Sequence, residues 1–193
     1  MAVVESLQLR GPLGVLAPHG GGIEPGTEAI ARFVASESGA SLYVFSGRLP
    51  SGNRALHCPS HQLEPDRHPL LEKFINHVSL VLSIHGHGRS QRQVYVGGLN
   101  KSLLESLADL LRHGLPEYEW ISDWQQIPSS LRGRDPNNIV NLAPSKGIQL
   151  ELPLMLRQTT TGNKQERSVP AGDAMVLSQM LVEFVRRWMA GKS

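Results

Sequence analysis

His19 and Glu24 lie five residues apart in the segment APHGGGIEPG, and His85 stands in the segment LSIHGHG. Two histidines and a carboxylate form a common catalytic zinc set, one that leaves a coordination position open for water. Gly20, Gly21 and Gly22 let the backbone fold sharply enough for His19 and Glu24 to face one ion. Pro25 suits the first position of a helix, which would place Glu24 at or beside a helix N-terminus, where a carboxylate is favoured. Taken alone, each piece has an ordinary explanation, since a histidine after a strand is often a polar loop residue and glycine-rich turns with an acid are common. His87 competes with His85, and His85 is preferred because it follows its strand directly. Glu28 competes with Glu24, but four residues into a helix it reads as a solvated side chain.

A metal-dependent hydrolase also needs a general base or acid beside the attacking water. Glu151, inside the apolar run IQLELPLML, is the best candidate. An acid there is costly to bury unless it is paired or functional, and desolvation raises its proton affinity, as a catalytic carboxyl requires. The competing explanation is plain alternation on a half-exposed strand.

These residues must be positioned by strands and helices that alternate along the chain. Strands are expected over 14–18, 41–45, 78–84, 93–96 and 148–152, and helices over 27–36, 70–76, 101–112 and 173–189. The stretch 46–68 has little periodicity, and a loop that long in a compact domain is often functional. The polar run 158–167 is expected to be a surface loop. Such alternation predicts a single α/β domain over residues 1–193, a mixed β-sheet flanked by helices. In such sheets ligands bind beyond the carboxyl ends of the strands, where His19 and His85 both fall.

With 193 residues, 40% hydrophobic and 19% charged, the chain can bury a substantial core. A formal charge of +2 argues against a dedicated nucleic-acid binder, although Arg48, Arg54, Arg89, Arg132, Arg134 and Arg157 could form a local basic rim. Cys58 is the single cysteine, which excludes a disulfide framework and a cysteine-rich zinc site. No apolar run approaches a membrane span, and no signal-peptide pattern opens the sequence. The expectation is therefore a cytoplasmic protein, or one released without a signal peptide.

The segments HGGGIEPGTEAIA, NRALHCPSHQLEPD, LSIHGHG with VYVGG, and NNIVNLAPSKGIQLELPLMLR, taken in order from about Gly14 to Arg157, resemble the poly-γ-glutamate hydrolase family. The combination of HGGGIEPGT with GIQLEL carries the resemblance. It implies a compact relative of the zinc carboxypeptidases, with His19, Glu24 and His85 on Zn2+ and Glu151 as the catalytic carboxylate. It also implies an anionic γ-glutamyl polymer or peptide as substrate. Arginines would be needed to hold its carboxylates, and Arg54 and Arg157 are the candidates. Asn53 beside Arg54 is similar to an Asn-Arg pair that carboxypeptidases use for a substrate carboxylate. His57 and His61 either line the pocket or satisfy the loop, and the loop reading is preferred.

Other readings differ in class. HGGG also occurs in α/β-hydrolase esterases, but the G-x-S-x-G nucleophile elbow is absent from the sequence. An N-acetylmuramoyl-L-alanine amidase pairs a similar HGG segment with a later SIH strand end, though its acidic ligand usually comes farther downstream. A zinc-binding relative without activity would lack the fourth group, and Glu151 is present.

Overall fold

The structure, a computed structural model, describes residues 2–89, 92–160 and 168–191. Seven strands form one sheet: β1 (Val3–Gln8), β2 (Leu13–Gly21), β3 (Ser41–Gly47), β4 (Leu80–Gly86), β5 (Gln93–Gly98), β6 (Glu119–Ile121) and β7 (Gly147–Leu152). Their order across the sheet is β1-β3-β2-β4-β7-β5-β6. The four central strands β3, β2, β4 and β7 run parallel, while β1 and β5 pair antiparallel to β3 and β7. The helices are α1 (Thr27–Ser38), α2 (Pro69–His77), α3 (Lys101–Gly114) and α4 (Asp173–Ala190). The expected mixed α/β architecture is thus the observed one.

Alternation along the strands divides the sheet into two unlike faces. Leu13, Val15 and Ala17 of β2, Leu80, Leu82 and Ile84 of β4, and Ile148, Leu150 and Leu152 of β7 share a core with α1, α3 and α4. Helix α3 turns Leu104, Leu107, Ala108 and Leu111 to this core, the three- and four-residue spacing of an amphipathic helix. The Asn100 side chain starts that helix by accepting from the Leu103 N–H at 3.2 Å. Burying each such large apolar side chain is worth roughly 1.5–3 kcal/mol. On the opposite face Leu16, Tyr43 and Val81 pack with Phe74 of α2 and with Ile139, Val140 and Ala143. Further along β4 and β7 that same face turns polar, presenting Ser83, His85, Gln149 and Glu151, all buried.

Several expectations from the sequence shift. Strand β2 runs on through His19 to Gly21, and β4 starts at Leu80 and includes His85, so both histidines sit within the strand ends. Pro25 does not open α1. The helix begins at Thr27 behind Gly26, whose φ of 93° turns the chain into it. Strand β1 lacks the strong apolar signature of its neighbours because it is an edge strand with largely half-exposed residues. The stretch 46–68 contains two short 3-10 turns, Asn53–Leu56 and Pro65–Arg67. Of the polar run 158–167, residues 161–167 lie outside the described ones, and Thr159–Thr160 pairs with Val169–Pro170. No helix among the described residues is long and apolar enough to cross a membrane.

Candidate active site and metal centre

The turn after β2 folds back on itself. Gly21 adopts a φ of 64°, and a Cβ there would lie 2.3 Å from the Gly47 carbonyl oxygen. Only glycine fits such a backbone contact. The Glu24 N–H then donates to the His19 carbonyl at 2.9 Å, and the Thr27 hydroxyl donates to the Glu24 carbonyl at 2.8 Å. Gly26 completes the reversal, since a Cβ there would meet the Arg157 carbonyl oxygen at 2.0 Å. These contacts hold the Glu24 side chain over His19.

Three imidazoles surround that carboxylate. His19 Nδ1 stands 2.9 Å from Glu24 Oε1, and His57 Nε2 stands 3.7 Å from the same oxygen. The rings of His19 and His57 lie 4.0 Å apart. On the other side, Glu24 Oε2 accepts the Gly86 N–H at 2.7 Å and lies 3.8 Å from His85 Nδ1. One ligand atom from each of His19, Glu24 and His57 falls within 4.8 Å of the others, so these three form a candidate metal site. His57, for which the sequence left pocket lining and a loop role open with the loop preferred, therefore joins the candidate site. Its place is decided by the fold of an aperiodic stretch, so only its residue type could have signalled it.

The donor chemistry suits a cation. His19 Nε2 lies 2.7 Å from the Cys58 carbonyl, which can only accept, so that nitrogen carries the hydrogen. In the neutral ring Nδ1 is then a bare lone pair turned to a carboxylate, two acceptors face to face. A cation between them removes the conflict, and a ligating histidine whose other N–H donates to a carbonyl is the usual outer arrangement of a metal site. His85 points the same way. Its Nε2 is buried without a hydrogen-bond partner among the described residues, and its Nδ1 contact is too long to be a hydrogen bond.

Charges follow from burial. Desolvation works to raise the Glu24 carboxyl; against it, a His19 ring protonated on both nitrogens, which then donates from Nδ1, the His85 ring and the Gly86 N–H outweigh that effect and hold the pKa below the usual range. Burial drives the His85 ring down to about 3, so it stays neutral, the form that binds metals. Burial, helped by the neighbouring His19 ring, also lowers His57.

Glu151 lies in register with His85 on the adjacent strand and with Tyr95 on the other side. Its side chain is buried, and its Oε1 accepts from Gln149 Nε2 at 2.9 Å. Burial first, and the Glu24 charge second, raise its carboxyl well above the ordinary value. Gln149, which the sequence did not single out, also donates to the Leu131 carbonyl and is packed against Gly133. It orients Glu151 beneath the segment around 131–138.

The remaining sequence candidates divide. Residues two apart on a strand share a face, so alternation does not separate His85 from His87. His87 lies past the end of β4, where its Nε2 meets the Gln93 carbonyl at 2.8 Å and its Nδ1 accepts the Arg89 N–H at 3.2 Å. Glu28 joins Arg32, Arg48 and Ser46 instead of the metal centre. A cavity of about 1160 Å³ opens over the site and is lined by Arg54, His61, Arg89, Arg134 and Arg157 as well as the residues above. Asn53 does not line it: both ends of its amide bond the Leu49 backbone, at 2.9 and 2.8 Å. Arg157 is buried and donates to the carbonyls of Leu152, Pro25 and His87 at 3.1, 2.6 and 3.4 Å. Its guanidinium lies against Gly86, where a Cβ would come within 2.4 Å of it.

Comparison with known proteins extends this picture. Protein YndL of Bacillus subtilis (strain 168) is 35% identical over 153 residues, 78% of this chain and 57% of YndL. The chain spans about half the length of the curated relatives it matches. The zinc-free structure of YndL superposes with a TM-score of 0.81 at 27% identity, covering 97% of this chain and 91% of that one. A bacteriophage poly-gamma-glutamate hydrolase shares the fold at a TM-score of 0.82 and 24% identity, covering 100% and 91%. A more distant likeness, TM-score 0.51 at 13% identity, covers 98% of this chain and 61% of a candidate carboxypeptidase A from Shewanella denitrificans OS-217. That likeness places the sheet among carboxypeptidase-like folds. The family described as poly-gamma-glutamate hydrolase matches residues 3–184, nearly the whole of this chain, and to that family the chain belongs.

Proposed function

We propose that the chain is a zinc-dependent hydrolase of γ-glutamyl amide bonds in poly-γ-glutamate. The observation that carries this is the partly buried Glu24 carboxylate between His19 and His85, with Glu151 in register beside His85. His19, Glu24 and His85 would hold the metal. Zinc, when bound, supplies Lewis acidity at a scissile carbonyl and lowers the pKa of water.

The chain's own groups do the rest. Gly86 N–H and the reversed turn fix the Glu24 carboxylate, and the Cys58 carbonyl fixes the His19 tautomer. Gln149 occupies Glu151 Oε1 and leaves Oε2 to take a proton from the attacking water. Glu151 then returns that proton to the leaving amine nitrogen. A carboxyl with raised proton affinity is the stronger base once ionised. Arg54 at the cavity mouth suits the substrate's free α-carboxylates, which guanidinium groups bind through paired hydrogen bonds. Arg157 shares that cavity, with three of its N–H groups spent on carbonyls and the others available to a carboxylate.

Metal analysis of the purified protein beside the viscosity of a γ-polyglutamate solution tests this reading. Bound zinc, falling viscosity, and arrest by a chelator with recovery on zinc addition are expected. A chain without zinc affinity, or one that leaves the polymer intact while cleaving peptidoglycan, would overturn it.

The ligand set can be tested separately. A direct ligand is worth more than the ten- to hundredfold in affinity of an outer partner. His85→Ala should therefore weaken zinc binding by about a hundredfold or more, measured by competition with a chromophoric chelator. His57→Ala, at a half-exposed ring beside the site, should stay within about tenfold. The reverse order would make His19, Glu24 and His57 the ligands.

A further inference from the structure

The mouth of the cavity differs in charge from the chain as a whole. Net charge is only +2, yet the exposed lining residues include Arg54, Arg89 and Arg134 against the single acid Asp135, while Glu24 and Glu151 lie deeper. One of these arginines is held in an unusual way. The guanidinium carbons of Arg132 and Arg134 each lie 5.3 Å from the centre of the Trp124 ring. Trp124 is 46% exposed, a large aromatic surface that no apolar core explains. Arg132 is anchored by its Nε donating to the Ile127 carbonyl at 2.8 Å, whereas no carboxylate among the described residues pairs with Arg134.

We infer that Arg134, positioned by Trp124, is a binding post for a pendant carboxylate of the γ-glutamyl chain, away from the bond being cut. This rests on the substrate reading above. A flat indole face restrains the guanidinium plane without consuming its N–H groups, so less freedom is lost when a carboxylate binds the fork. Asp135, the nearest competitor in sequence, has its Oδ1 accepting the Asn137 N–H at 2.8 Å. The cavity volume, about 1160 Å³, exceeds the usual range for a small-molecule pocket and suits several linked residues. Each γ-linked residue carries a free carboxylate, so a post at the rim engages a longer chain without needing its terminus.

Calorimetric titration with γ-polyglutamate in a Glu151→Gln background, where turnover does not interfere, tests the inference. Adding Arg134→Gln or Trp124→Ala should weaken binding about tenfold, the value of a charge-assisted pair. Trp124→Phe, which keeps an aromatic face, should restore most of it. In the active background the same changes should raise KM for the polymer with kcat held, and affect a γ-glutamyl dimer less. Undiminished binding by Arg134→Gln, or a fall in kcat without a rise in KM, would overturn the inference alone. Failure of the Glu151→Gln parent to bind the polymer at all would overturn the substrate reading, and this inference with it.

Discussion

A Glu151→Gln chain is expected to bind zinc and melt like its parent, yet to turn over γ-glutamyl amides about a thousandfold more slowly. General acid–base groups contribute roughly a hundred- to ten-thousandfold, and a carboxamide can neither take nor return the proton. The substitution is nearly isosteric. Its remaining carbonyl oxygen still accepts from Gln149 Nε2, so the side chain keeps its orientation. Stability should not suffer, because a neutral amide removes a buried acid that both desolvation and Glu24 disfavour as a charge. Single-turnover kinetics beside chelator competition measures both halves. Turnover near the parental rate would remove Glu151 from the reaction.

Arg157→Met should act on stability before it acts on the substrate. The guanidinium ties three separate segments together through the carbonyls of Pro25, His87 and Leu152, and it is the cation beside Glu24 and Glu151. Methionine fills part of the volume but leaves three carbonyls and two acids without it. Removing one side of a buried charged arrangement costs roughly 3–5 kcal/mol. For a chain of this length that lowers the melting temperature by about 10 °C. Thermal denaturation followed by circular dichroism checks this. An unchanged melt with only a raised KM would return Arg157 to a purely substrate-binding role.

Which features the sequence discloses depends on how local their causes are. The central strands and α1, α3 and α4 were legible because hydrophobic period acts over a few residues. The meeting of His19, Glu24 and His85 was legible because strand ends and a glycine run sit beside them. Glu151 was legible as an acid in an apolar run. Arg157 was found, but not the three carbonyls that hold it, which come from distant segments. Asn53 was expected beside Arg54 at a substrate carboxylate, and the structure shows its amide closing a local turn onto Leu49. His57 was the opposite case. Nothing in the spacing of the stretch 46–68 reveals that its ring stacks on His19, because that meeting is made by the folding of the loop over the sheet.

The division of the sheet into two faces sets what kinds of sequence change these strands can absorb. In β4 and β7 the even positions Leu82, Ile84, Leu150 and Leu152 serve the helix-side core, while the odd positions Ser83, His85, Gln149 and Glu151 face the chemistry. Substitution within either set alters one function at a time. A single inserted or deleted residue exchanges the sets, burying the acid and histidine among leucines and turning the leucines toward the cavity. Length is therefore the tight constraint in β4 and β7, and the surface loops between the elements are where residues can be gained or lost at least cost.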